Sequence, residues 1–230
     1  MSARISIWLA VLLAATVAAN ASASEADIGG VKFTLPPIEG YCELRGNDPA
    51  EAKLLDVARE VRAGKSLVLA MYGECKELER WKTGEQPYLD NHIVITSLLK
   101  YRDKIIPDDP DKWAAQVCEL SKDKSFTESK GIKEDVEKRI ANLSLNLKLN
   151  EMQTISLAAR DTGVCYIAMV TKLQAEGGDE KNQIGAGSTM LLKGKIIYIY
   201  TITLNDGPKA LERSLPVTKA VTAAMAAANR

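Results

Sequence analysis

The chain reads as an α+β protein, a mainly antiparallel sheet with helices on both faces, which makes a three-layer sandwich. Three observations predict this. In Val164–Val170 and Ile196–Ile202 nearly every residue is apolar or aromatic, so both faces of each strand need cover. Short glycine-bearing links, Asp161-Thr162-Gly163 and Lys193-Gly194-Lys195, join strand-like segments in the C-terminal half, as hairpins do and crossover connections do not. Capped segments of helical periodicity lie before and after those strands.

Taken in order, Val31–Pro36 alternates apolar and polar residues and stops at two prolines, a half-buried strand leading into a turn at Gly40-Tyr41-Cys42. Asp48, Pro49 and Glu51 then form a capping-box signature, and Leu54, Val57, Ala58 and Val61 outline one helical face that ends at Gly64. Ser66–Tyr72 is a continuous apolar strand. From Glu74 to Thr83 a short helix places Cys75, Leu78 and Trp81 together, and Asn91–Ser97 is a third strand. Asp109 and Pro110 repeat the capping device for a helix with Trp113, Val117 and Leu120 on one side.

Ile132, Val136, Ile140, Leu143 and Leu147 outline a further helix, favoured to about Asn146, although Leu143–Leu149 also alternates at the strand period. Two hairpins follow, Thr154–Ala159 with Val164–Val170 and Ile184–Leu192 with Ile196–Thr203, separated by a solvated loop from Glu176 to Gln183. Pro208 opens a final helical region that Pro216 is expected to interrupt. Beyond it, Val217, Val221, Ala224, Met225 and Ala228 line one side.

The N-terminus carries its own message. Arg4 precedes an uncharged apolar run to Ala19, and Ala21 and Ala23 occupy the small-residue positions that a signal peptidase reads. Residues 1–23 are therefore expected to be a cleaved signal peptide, and 24–230 a single globular α+β domain that is periplasmic or secreted. The apolar run falls short of the roughly 20 residues that span a bilayer, so no membrane span is expected after cleavage. With 30 basic and 30 acidic residues, the chain lacks the cationic excess that neutralises phosphates, which argues against nucleic acid and anionic membrane surfaces as partners.

All four cysteines, Cys42, Cys75, Cys118 and Cys165, lie beyond the signal, and an oxidising compartment makes an even number read as disulfides. Of the three connectivities, Cys42–Cys75 with Cys118–Cys165 is preferred, because Cys42 and Cys75 each follow soon after a strand. No C-x-x-C occurs, which removes the thioredoxin-type motif and the zinc knuckle.

The strand at Val31–Pro36, the late hairpins through Gly194-Lys-Ile-Ile-Tyr-Ile-Tyr200 and the closing helix follow an order that resembles the PsbP-like group, which includes the extrinsic PsbP subunits of photosystem II and the Ran-binding Mog proteins. The resemblance implies a non-catalytic protein that docks on a larger partner, and carries no functional residue onto a position of this chain.

Few residues suggest chemistry. His92, the one histidine, has Asp90 two residues before it, a pair that could orient a general base for a serine, but no G-x-S-x-G elbow accompanies it. Gly185-Ala186-Gly187 begins like a dinucleotide fingerprint, yet lacks the third glycine and leads into a strand, so the glycines are read as permitting a bend or bulge. Asp108, Asp109 and Asp111 lack the ligand spacing of a calcium loop and are read as a helix cap. The reading that follows is an exported, non-enzymatic binding or assembly protein with no cofactor and no metal, its partner a protein or other envelope macromolecule. The contact surface is placed on Glu176, Asp179, Glu180 and Lys181. A hydrolase built on His92 and a small-ligand carrier are the alternatives.

Overall fold

A computed structural model describes residues 23–86, 88–122, 147–175, 180–207 and 209–230. Strands β1 (Ser24–Ile28) and β2 (Val31–Leu35) form a separate hairpin. The remaining strands are β3 (Tyr41–Glu43), β4 (Ser66–Glu74), β5 (His92–Leu98), β6 (Leu147–Asp161), β7 (Val164–Ala175), β8 (Glu180–Leu192) and β9 (Lys195–Leu204). They make one seven-stranded sheet in the order β3-β4-β5-β9-β8-β7-β6, antiparallel at every neighbouring pair. Helices α1 (Pro49–Arg62), α2 (Cys75–Lys82), α3 (Pro110–Leu120) and α4 (Ala210–Ala228) cover it.

Because side chains alternate along a strand, each apolar run supplies two cores. Ala70, Tyr72, Ile93, Ile95, Ile197 and Ile199 meet Val221 and Met225 of α4 and Ile28, Phe33 and Leu35 of the β1–β2 hairpin. On the opposite face Met71 and Val94 pack on Leu55 and Ala58 of α1 and Leu78 of α2. There too, Leu191 and Ile196 pack on Trp113 and Ala114 of α3. The three layers expected from the doubly apolar strands are thus present. Cys42–Cys75 ties β3 to α2 and Cys118–Cys165 ties α3 to β7, with Cα separations of 5.0 and 5.5 Å.

Several local expectations are corrected. Asp48 caps α1 through the amides of Ala50 and Glu51, but Glu51 does not return to it. Its carboxylate accepts instead from the amides of Arg45 and Gly46, at 3.0 and 3.2 Å, and pairs with Lys82 of α2. The buried stripe of α1 is Glu51, Leu55 and Ala58 rather than one running through Val57 and Val61. In α3 the bridge of Cys118 fixes which side faces the sheet, and Leu120 is left 59% exposed.

Pro216 does not interrupt α4, which runs unbroken through it. The helix loses one backbone bond there, but its sheet-facing side is sewn down by hydroxyls. Thr218 Oγ1 lies 2.9 Å from the Ser214 carbonyl and 3.2 Å from that of Ala186, and Thr222 Oγ1 lies 2.7 Å from Ser188 Oγ. Thr218 and Thr222 therefore take buried places that an apolar reading gives to Ala224 and Ala228. Beyond the helix, Asn229 bonds both backbone groups of Thr34, at 2.8 and 2.7 Å, as a neighbouring strand would.

Gly185 and Gly187 mark no bulge, since β8 pairs with β7 and β9 in unbroken register. A Cβ on Gly187 would stand 3.1 Å from the Tyr200 ring and 3.2 Å from Ile167, so the glycine makes room for a neighbour lying flat on the strand. The helix expected over Ile132–Asn146 lies outside the described residues, and Leu147 onward is strand.

Candidate functional site

The β5 start, the β8 start and the β9 end meet at one end of the sheet, beside α2. Glu74 caps that helix by accepting from the Glu77 amide at 2.9 Å, which sets Glu77 and Leu78 on the buried side. Glu77 is 3% exposed, and its carboxylate organises the turn that follows. Oε1 accepts from the Asp90 amide at 2.9 Å and from Gln86 Nε2 at 2.6 Å, and Oε2 accepts from the Asn91 amide at 2.8 Å. A buried carboxylate is tolerable only when hydrogen-bonded in this way.

Asn91 and Asp90, so positioned, reach across the sheet. Asn91 Oδ1 accepts the Thr203 hydroxyl of β9, and Asp90 Oδ1 accepts from Lys181 Nζ of β8 at 3.0 Å. The Lys181 ammonium also sits 4.3 Å above the Tyr88 ring. Between these groups and the start of α4 lies a cleft of about 320 Å³, lined by Glu77, Arg80, Gln86, Asn91, Thr203 and Arg213 among others. Arg213 pairs with Asp206 at its rim.

His92 stands next to this cleft, but the expected Asp-His arrangement does not form. Its Nδ1 lies 3.2 Å from the Leu89 carbonyl, which can only accept, so the proton is on Nδ1. Asp90 turns to Lys181 instead. Burial, reinforced by the Arg62 guanidinium, pushes the imidazole down to about 4, which leaves it neutral at pH 7. Tyr200, on the same face of the sheet, is driven well above the phenol range by burial.

Of the four residues expected to form a contact loop, Glu176 and Asp179 lie outside the described residues. Glu180 and Lys181 belong to β8, so Glu180–Gln183 is strand and not loop, paired with β7 throughout and capped by the Asn205 amide on the Asn182 carbonyl at 2.8 Å. Lys181 and Asp90, expected in unrelated roles, come together as an ion pair. Asp109 caps α3 through the amides of Asp111 and Lys112, both at 3.0 Å, as the sequence suggests. Glu77, Arg80, Gln86, Thr203 and Arg213 escape the sequence reading. The available signal was a carboxylate at Glu77, four residues from Trp81 and so on the apolar side of a short helix.

No family model matches the chain, and no curated protein matches it. Among solved structures, it is similar to cyanobacterial PsbP (CyanoP) from Synechocystis sp. PCC 6803, with 13% identity and a TM-score of 0.35, over 93% of this chain and 96% of that one. It is also similar to the Ran-binding protein Mog1p of Saccharomyces cerevisiae, with 11% identity and a TM-score of 0.30, over 90% and 92%. These come from the two groups that the element order resembles. At such scores the likeness carries no argument about what this chain binds.

Proposed function

We propose that residues 1–23 are removed on export and that 24–230 work in the periplasm or outside the cell as a non-enzymatic binding or assembly protein, docking on an envelope protein through the Glu77 end of the sheet. One observation carries this reading: the cleft is open and polar, yet its carboxylates are already engaged. Glu77 is held by backbone amides, Asp90 by Lys181 and Asp206 by Arg213. Acid–base catalysis needs a carboxyl group that is free to exchange a proton with substrate, whereas recognition needs positioned donors and charges. Arg80 and the N–H groups of Arg213 not used by Asp206 supply such donors at the rim.

Two disulfides suit an oxidising compartment. Among the described residues no helix is long and apolar enough to cross a membrane. Glu176, Asp179, Glu180 and Lys181 belong to the same contact surface in this reading. Capture of the mature protein's partner from envelope extract tests the reading: Arg80→Glu with Arg213→Glu abolishes recovery while the melting temperature holds, and undiminished recovery refutes the assignment.

A further inference from the structure

The two disulfides occupy opposite environments. Cys118 and Cys165 are 2% and 0% exposed, sealed between α3 and β7. Cys42, by contrast, lies on the solvent side of the three-residue strand β3 and is exposed, and its partner Cys75 is the first residue of α2. Thiol–disulfide exchange requires an attacking thiolate to reach one sulfur in line while the other leaves as thiolate. The buried bridge denies that approach without unfolding. The exposed one permits it, and a leaving thiolate on Cys75 would form at a helix N-terminus, where the dipole favours negative charge and the Glu74 and Glu77 carboxylates oppose it.

We propose that Cys42–Cys75 is a reversible thiol-exchange site for an extracytoplasmic dithiol, and that it controls the order of the Glu77 end of the sheet. One thiolate of the dithiol attacks Cys42 Sγ, the Cys42–Cys75 bond breaks, and Cys75 leaves as thiolate and takes up a proton. The second thiol of the dithiol then displaces Cys42 from the mixed disulfide. The protein gains two thiols and the dithiol becomes a disulfide, so electrons and protons balance.

The structural consequence follows from what the bond holds. On the β3 side the short ladder with β4 remains, pairing Tyr41–Glu43 with Tyr72–Glu74, together with the Cys75 amide on the Gly40 carbonyl and the Ser24 hydroxyl on Glu43. On the α2 side the bond anchors the turn that carries Glu74 and, three residues on, Glu77, whose carboxylate fixes the amides of Asp90 and Asn91. Loosening α2 releases those amides. The exchange site stands whether or not the cleft is the docking surface, because it is read chemically and not by binding.

The test treats the mature wild-type protein with dithiothreitol under native conditions, quenches by alkylation and maps the labelled cysteines by mass spectrometry. The expected result is labelling of Cys42 and Cys75 at least about tenfold faster than of Cys118 and Cys165, as accessibility controls exchange, with the latter pair still bridged when the first is fully reduced. Equal rates, or earlier loss of Cys118–Cys165, overturn the exchange site. Hydrogen exchange on the selectively reduced protein reads the second half of the proposal. Faster exchange at Asp90 and Asn91 supports control of the cleft, and unchanged exchange there refutes it.

Discussion

Each end of the sheet is closed by one buried charged side chain, and the two grip opposite backbone groups. At one end Glu77 accepts the amide hydrogens of Asp90 and Asn91. At the other, Lys195, 2% exposed, donates to the carbonyls of Arg102 and Lys104 at 2.6 and 2.9 Å. A loop that leaves the sheet takes its backbone groups out of the ladder, and a buried charge of the right sign replaces the missing partners. What the ends leave over differs. At the Lys195 end the loop is pressed against its neighbours: a Cβ on Gly29 would lie 2.1 Å from the Arg102 carbonyl oxygen, and the Ile106 amide bonds the Gly194 carbonyl. The Glu77 end keeps a cleft with charges at its rim. The same device of closure thus serves one end where a loop lies pressed on its neighbours and another that keeps a cleft.

The strongest way to break this comparison is to remove the gripping groups. Glu77→Ala strands three donors and is expected to cost about 3 to 5 kcal/mol, read as a fall in the denaturation midpoint. Glu77→Gln keeps the shape but turns an amide donor toward other donors, and falls between the variant and wild type. Lys195→Ala leaves two carbonyls unpaired, for which about 2 to 4 kcal/mol is expected. A loss below 1 kcal/mol in either alanine variant would show that the loops are held by something else.

His92 sharpens the comparison through pH. Its imidazole titrates near 4 in the folded chain, against an ordinary 6.5 when unfolded. Its contribution is complete above about pH 6.5 and is lost as pH falls toward 4, because the unfolded chain takes up a proton that the native one refuses. Wild type should lose on the order of 3 kcal/mol across that window through this residue, and His92→Gln should lack the component in paired denaturation curves. The smallest effect belongs to Asp90 and Lys181. Their pair is partly solvated, so a double-mutant cycle to alanine should give a coupling of about 0.5 to 1 kcal/mol, weaker in high salt.

How far these features are legible in the sequence depends on the range of the contacts. Asp48-Pro49 and Asp109-Pro110 announce their helices because a cap is local, and the doubly apolar strand Ile196–Ile202 announces two covered faces because alternation is local too. The preferred disulfide pairing forms, but Cys42 lies within β3, opposite Gly73 of β4, rather than after a strand. The grip of Glu77 on Asp90 and Asn91 and of Lys195 on Arg102 depends on partners 13 to 93 residues away. The meeting of Lys181 with Asp90 spans 91 residues, so neither residue signals the other. Thr218 and Thr222 look polar in sequence, but a hydroxyl that bonds its own helix can enter a core, and this hid the true inner face of α4.

The central claim, that docking uses the open end of the sheet, is tested most directly by photo-crosslinking in the envelope. A photoreactive residue is placed in turn at Arg80 and Arg213, on the cleft, and at Ile105, which is 59% exposed at the opposite end. Cross-links to one discrete partner from positions 80 and 213, with none from 105, are the predicted result; the same partner captured from 105 and not from the cleft would contradict it.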